Sequence, residues 1–383
     1  MQQIEVTDLD KGFDKSGNPV EGMIYEKEYQ FALRRPEGQS VRWTFRYSNS
    51  ALIYYDHAYA EGASVAFKVR DANRCGTMLE VVAYSNGVIL GKLTVWVHYR
   101  FRFFKRPILE KELEERRKDP WKIDQRNTAL CGIACIFYLL ATDQPDLYEQ
   151  GIGELHRTGY ALFDSYEIRP PAGLYEMDPD NSEDYPKGMP YADWISLAAV
   201  RSMESHWGYR GRKKEVFSAI NWPPMLTRLG RTLLQYKKVE FKLYFPVKTF
   251  FRDLLFPYKK IDILNDIQRA HLEGKRIVLM IDMDMLFNRS NYNIRSLVRY
   301  HWIVYEGALR MVDRNGLTTT DSRETAMIYF QSYTWGLPPK RSPTCLGISR
   351  NSFLRNFYGY IEMAPRLDYK RKVGPQATRP SDA

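Results

Sequence analysis

Around residue 130 the chain carries a helix with almost no polar face. Leu130, Ile133, Ala134, Phe137, Tyr138 and Leu140 fall at helical spacing with no charge among them, so this helix must be enclosed by other elements. Enclosure requires a domain around it. The 383 residues give room for two domains or three, and a 44% hydrophobic, 14% aromatic composition excludes a disordered chain.

The first hundred residues read differently. Val41 to Tyr47 alternates apolar and polar, Val65, Phe67 and Val69 repeat the pattern, and Leu79–Tyr84 and Val88–Val97 flank Asn86-Gly87, a two-residue hairpin signal. Gly22, Gly38 and Gly62 fit turns. Short strands at this density predict a β-sandwich over residues 1–105, a module that binds or presents. Pro107 to Lys118 predicts a connecting helix, with Pro107 in its first turn and Asp119-Pro120 ending it; the connector is placed at 106–120. A loop-rich stretch follows the apolar helix from Gly151 to Asp193, with an acidic run from Asp178 to Asp184. Helices are expected from Asp193 to about Ser205, over Met225–Leu234 and over Ile261–Leu272, the last stopped by Gly274. Ile277–Ile281 and His301–Tyr305 read as central strands, Asn315-Gly316 as a turn and Met327–Trp335 as a third strand. The second domain then covers 121–365, and the polar tail 366–383, with Lys370-Arg371-Lys372, reads as disordered. The fold class is α+β.

Composition excludes several functions. Cys75, Cys131, Cys135 and Cys345 are too sparse for a secreted disulfide framework, which points to a reducing compartment, with a Cys75–Cys345 bridge open as an alternative. Cys131 and Cys135 lie four apart on one helix, unlike a zinc ribbon, and no metal or cofactor is expected. The N-terminus lacks the pattern of a cleaved leader, and no apolar run reaches membrane-spanning length. The formal charge of +10 is scattered and carries no nucleic-acid-binding motif.

Cys131 opens the apolar helix. A thiol attacks as thiolate, and both a helix N-terminus and a neighbouring imidazolium favour that form. A cysteine in an apolar helix is ordinarily core, and Cys135, one turn further in, fits that reading. Cys131 departs from it because Gln125 precedes it, Gly132 follows it, and it sits at the helix start. The Cys131 N–H and the Gln125 amide are candidate oxyanion donors. His301, opening a strand after a loop, is the candidate base. His57, His98, His156, His206 and His271 lack a partner pattern. Asp313 is the first choice to orient the imidazole and Asp321 the second; each also reads as an ordinary turn aspartate.

These residues resemble the papain-like cysteine proteases, and most of all the double-glycine peptidases that process bacterial leader peptides. Gln125, five residues, then Cys131-Gly132-Ile133-Ala134 matches that branch, as does His301-Trp302-Ile303-Val304-Tyr305-Glu306-Gly307. Tyr333-Thr334-Trp335-Gly336 is similar to the Asn-Ser-Trp-Gly of papain, with Tyr333 at the asparagine position. The resemblance covers about a quarter of the chain. It implies a papain-like domain with a Cys131–His301–Asp313 triad and a protein substrate, with a Gly-Gly cleavage site admitted. A leaderless chain with an N-terminal immunoglobulin-like sandwich before such a domain is similar in architecture to antibacterial effectors of the type VI secretion system. That likeness implies synthesis in the cytoplasm of a producer and delivery into a neighbouring bacterium. A secretion-apparatus contact through the sandwich and a cognate immunity protein would go with it. A peptidoglycan amidase or endopeptidase, a glutamine deamidase or acyltransferase, and an inactive fold that only binds remain alternatives.

Overall fold

The computed structural model describes residues 3–33, 40–49, 52–56, 62–204, 222–243, 258–289 and 300–366. It is a mixed α/β protein that divides into two compact units. One comprises Met1–Leu113, Gln150–Ala161 and Ile168–Tyr185; the other comprises Glu114–Glu149, Leu162–Glu167 and Pro186–Ala383. The expected tail, His57 and His206 lie outside the described residues. Among those residues no helix is long and apolar enough to cross a membrane.

The first unit holds β1 (Ile4–Val6), β2 (Asp10–Phe13), β3 (Pro19–Met23), β4 (Glu28–Leu33), β5 (Arg42–Asn49), β6 (Leu52–Asp56), β7 (Ser64–Lys68), β8 (Thr77–Ser85) and β9 (Val88–Val97). They form a six-stranded sheet, β2-β3-β9-β8-β5-β6, and a three-stranded one, β1-β4-β7. The alternation seen in the sequence is the reason. Trp43, Phe45 and Tyr47 of β5 and Leu79, Val81 and Ala83 of β8 turn inward to meet Tyr29 and Phe31 of β4 in one core. Asn86 and Gly87 take φ of +49° and +80°, the two left-handed residues that a tight hairpin turn requires. Within the six-stranded sheet β3 runs parallel to β9.

Helix α1 spans Arg106–Lys118. Helix α2 (Cys131–Asp143) is the apolar helix, buried from Cys131 through Ala141. Helix α3 (Pro145–Thr158) carries regular structure past Gly151, where a loop was expected. Gly151 and Gly153 weaken the helix without ending it: the stop is Gly159, at φ +73°. A small hairpin, β10 (Ala161–Phe163) and β11 (Tyr166–Ile168), follows, and then α4 (Tyr191–Glu204) and α5 (Pro223–Thr232).

The second unit is built on an antiparallel sheet. Its strands are β12 (Lys237–Leu243), β13 (Arg276–Asp282), β14 (Tyr300–Tyr305), β17 (Ser332–Tyr333) and β19 (Phe357–Ala364), in the order β12-β19-β13-β14-β17. Strands β15 (Arg310–Val312), β16 (Met327–Tyr329) and β18 (Ile348–Ser349) form a smaller sheet. Helix α6 (Tyr258–Leu272) places Ile261, Leu264 and Ile267 against Ile277, Leu279, Ile281, Ile303 and Tyr305 on one face, beside α7 (Arg350–Asn356). Helices α2 and α5 pack against strands β14 and β12 of the same sheet. The expected strand over Met327–Trp335 is broken into β16 and β17, which join different sheets. Between them Gln331 donates its backbone N–H to the Gly307 carbonyl.

Candidate functional site

Three segments of the second unit meet around Cys131: the stretch before α2, the first residues of β14, and the turn after β17.

Helix α2 begins without a capping side chain at Leu130, so its first N–H groups have no intrahelical partner. The Cys131 sulfur takes that place. Burial pushes its thiol up to about 11, while hydrogen bonds from the backbone N–H groups of Trp302, Gly132 and Cys131 itself act the other way. A helix N-terminus by itself depresses a thiol. Here desolvation outweighs the helix end, because Cys131 is almost fully enclosed.

The contact with Trp302 fixes where the sulfur lies. Strand β17 pairs with β14 only at Val304 and Tyr305, and before that stretch the Trp302 N–H is turned to the thiol. Its nitrogen follows the carbonyl carbon of His301, so the sulfur lies against the backbone that carries the imidazole.

His301 is buried, and burial holds its imidazole down to about 3. Its Nε2 lies 2.7 Å from the Thr334 hydroxyl, and its ring stacks on Trp335 with centroids 4.8 Å apart and planes 28° from parallel. Asp313 accepts instead from the N–H groups of Asn315 and Leu317 in its own turn. Asp321 accepts from the N–H of Arg323. The imidazole's partner at Nε2 is therefore a hydroxyl that the sequence reading passed over.

Period-two alternation explains the miss. Tyr333, which the sequence resemblance would set at the asparagine position, stacks its ring on Tyr138 of α2 at 4.0 Å, and its hydroxyl donates to the Ile123 carbonyl at 2.8 Å. The next residue must point to the opposite side of the strand, and that residue is Thr334.

The turn that follows is unusual. Leu337 donates its N–H to the Thr334 carbonyl, and Trp335 and Gly336 have φ of +48° and +63°. Gly336 needs to be glycine: a Cβ there would lie 2.9 Å from the Asp124 Cβ. Trp335 has no such freedom, and a bulky residue in this region is strained by about 1–3 kcal/mol. The strained conformation sets the indole against the His301 ring.

Gln125 is buried just upstream of Cys131. The segment is shaped by a left-handed Arg126 at φ +52°, whose N–H donates to Asp124 Oδ1 at 2.8 Å. The Thr128 hydroxyl donates to the Gln125 carbonyl. Behind this segment Asp193 of α4 accepts from Arg116 of α1 at both oxygens, at 2.8 and 2.7 Å, and from the Asp124 N–H at 2.9 Å. Arg116 and Asp193 are buried. Thus the segment leading to Cys131 and the turn backing His301 touch at Asp124–Gly336 and Ile123–Tyr333.

Cys135 is fully buried core, and all four cysteines are free thiols, so the Cys75–Cys345 bridge is not formed. His98 and His156 each give Nε2 to a backbone carbonyl, of Asp10 and Phe104. His271 packs edge-on against Tyr305. Among the described residues no three His, Cys, Asp or Glu side chains are grouped as for a metal ion.

Comparison with protein-family models, with curated proteins and with solved structures found no match to this chain. The fold and site therefore define a mixed α/β protein with a thiol at a helix N-terminus beside a histidine strand.

Proposed function

We propose that this chain is a cysteine-dependent peptidase whose second unit is papain-like, with Cys131 as nucleophile and His301 as general base. The observation that carries the reading is the hydrogen bond from the Trp302 N–H to the Cys131 sulfur, one residue from an imidazole braced by Thr334 and Trp335. The neutral groups at rest favour direct proton transfer from thiol to imidazole over a standing ion pair. As the proton leaves, the sulfur bonds to the substrate carbonyl carbon and the carbonyl electron pair moves to oxygen. The Cys131 N–H and the Gln125 amide are the donors for that oxyanion. Collapse breaks the C–N bond, and the imidazolium protonates the leaving amine. Water, deprotonated by His301, then opens the thioester and releases the acid.

In the same reading the N-terminal unit is an immunoglobulin-like sandwich serving delivery, and the whole chain is an antibacterial effector cutting a protein in a recipient cell. The support for this is the order of a two-sheet module before a thiol site. The test is incubation of purified protein with a bacterial lysate and labelling of new N-termini. Discrete termini that disappear in Cys131→Ala are expected. Identical termini from both proteins would end the peptidase reading.

A further inference from the structure

We propose that Thr334 is the positioning residue of this site: its hydroxyl, in place of a carboxylate or amide, fixes the ring orientation and tautomer of His301. This rests on the reading of Cys131 and His301 as nucleophile and base.

The geometry is specific. A neutral imidazole carries one N–H and one lone pair. Donation from Nε2–H to Thr334 Oγ1 across 2.7 Å leaves the lone pair on Nδ1, able to take the thiol proton. The ring is also held in place: Trp335 stacks on it at 4.8 Å, and Thr334 and Trp335 are consecutive residues. Both contacts are delivered by one turn, in which Trp335 takes a φ of +48° unsuited to its size. The turn is anchored where Gly336 meets Asp124 and Tyr333 meets Ile123.

A hydroxyl differs from a carboxylate in two respects. It carries no charge, so it orients the ring without favouring the imidazolium; the cause acting on His301 is burial. It can also donate, so the correct tautomer depends on the hydroxyl accepting from Nε2–H. Asp313 and Asp321, engaged in their own turns, add no charge at Nε2.

Alkylation of the full-length protein by iodoacetamide, followed cysteine by cysteine by mass spectrometry between pH 6 and 10, tests this without a known substrate. Thr334→Val keeps the shape and removes the hydroxyl. It should slow Cys131 alkylation at neutral pH by roughly five- to a hundredfold. It should also leave a profile that climbs with plain thiol ionisation and lacks the component lost in His301→Ala. Thr334→Ser should stay within about threefold of wild type, since the hydroxyl is kept. Cys75 and Cys135 are 1% and 0% exposed against 8% at Cys131, so labelling at the first two identifies a variant that has lost its fold; Thr334→Ala is then the deletion to compare. A wild-type rate and profile in the folded deletion, with His301→Ala slowed, overturns the role of Thr334 and leaves the peptidase reading standing. A wild-type rate in His301→Ala overturns the peptidase reading itself.

Discussion

Replacing His301 by glutamine should make the second unit more tolerant of acid, although it removes a buried contact. In the folded protein the imidazole is held near 3, against 6.5 for an ordinary histidine, because it is buried. The unfolded chain therefore takes the proton first as pH falls. The stability contributed by the neutral, buried ring is complete above about 6.5 and is lost progressively toward 3. At pH 4.5, two units below the ordinary value, the loss is about 3 kcal/mol at 1.36 kcal/mol per unit. For a unit of this size that is roughly 6–12 °C in the melting midpoint. His301→Gln cannot gain this proton. Urea unfolding of wild type and variant at pH 7.5 and 4.5 gives the difference of differences. Every other titrating group, His156 included, is common to both proteins and cancels. The variant should lose about 3 kcal/mol less than wild type between the two pH values. Equal losses would mean that His301 is hydrated in the folded protein, and the enclosed site described here would be wrong.

The buried pair behind the Gln125 segment should be sensitive to halving. Asp193→Asn or Arg116→Met, each breaking the buried Arg116–Asp193 ion pair from one side, should cost about 3–5 kcal/mol in urea unfolding, and the double variant Arg116→Met/Asp193→Leu should recover most of it. Gly336→Ala places a Cβ against Asp124 at a left-handed φ; a loss of about 1–3 kcal/mol in thermal unfolding is expected, and no loss would remove the packing argument for that turn. Once a cleaved substrate is in hand, Gln125→Ala should retain about a hundredth to a thousandth of wild-type kcat with little change in KM, as expected for an oxyanion donor.

Much of the frame was legible because burial imposes periodicity. The unbroken apolar run of α2, the runs of β13 and β14, and the alternation of β5 and β8 each have one way of hiding their side chains. Cys131 and His301 stand out in the sequence because each opens such an apolar run, and a hydrogen bond from the Trp302 N–H holds the Cys131 sulfur against the strand that carries His301. What the sequence concealed depends on register and environment. An aspartate following the histidine strand looks like a partner, but Asp313 and Asp321 serve their own turns. Thr334 could have been found by carrying the alternation of β17 one residue beyond Tyr333. The left-handed Trp335 has no local signal, since its conformation is stabilised by contacts distant in sequence. The thiol's ionisation was misjudged for a related reason: helix position is visible in a sequence, and enclosure is not.

In the proposed site the Cys131 sulfur and the His301 ring share one small space. Treatment with dibromoacetone, a short reagent with two alkylating ends, addresses it directly. Peptide mapping of the folded protein should recover the Cys131 and His301 peptides joined by a single acetone bridge, and no such species in His301→Ala. Modification of Cys131 with no bridge to His301 would mean that the thiol and the imidazole do not face each other.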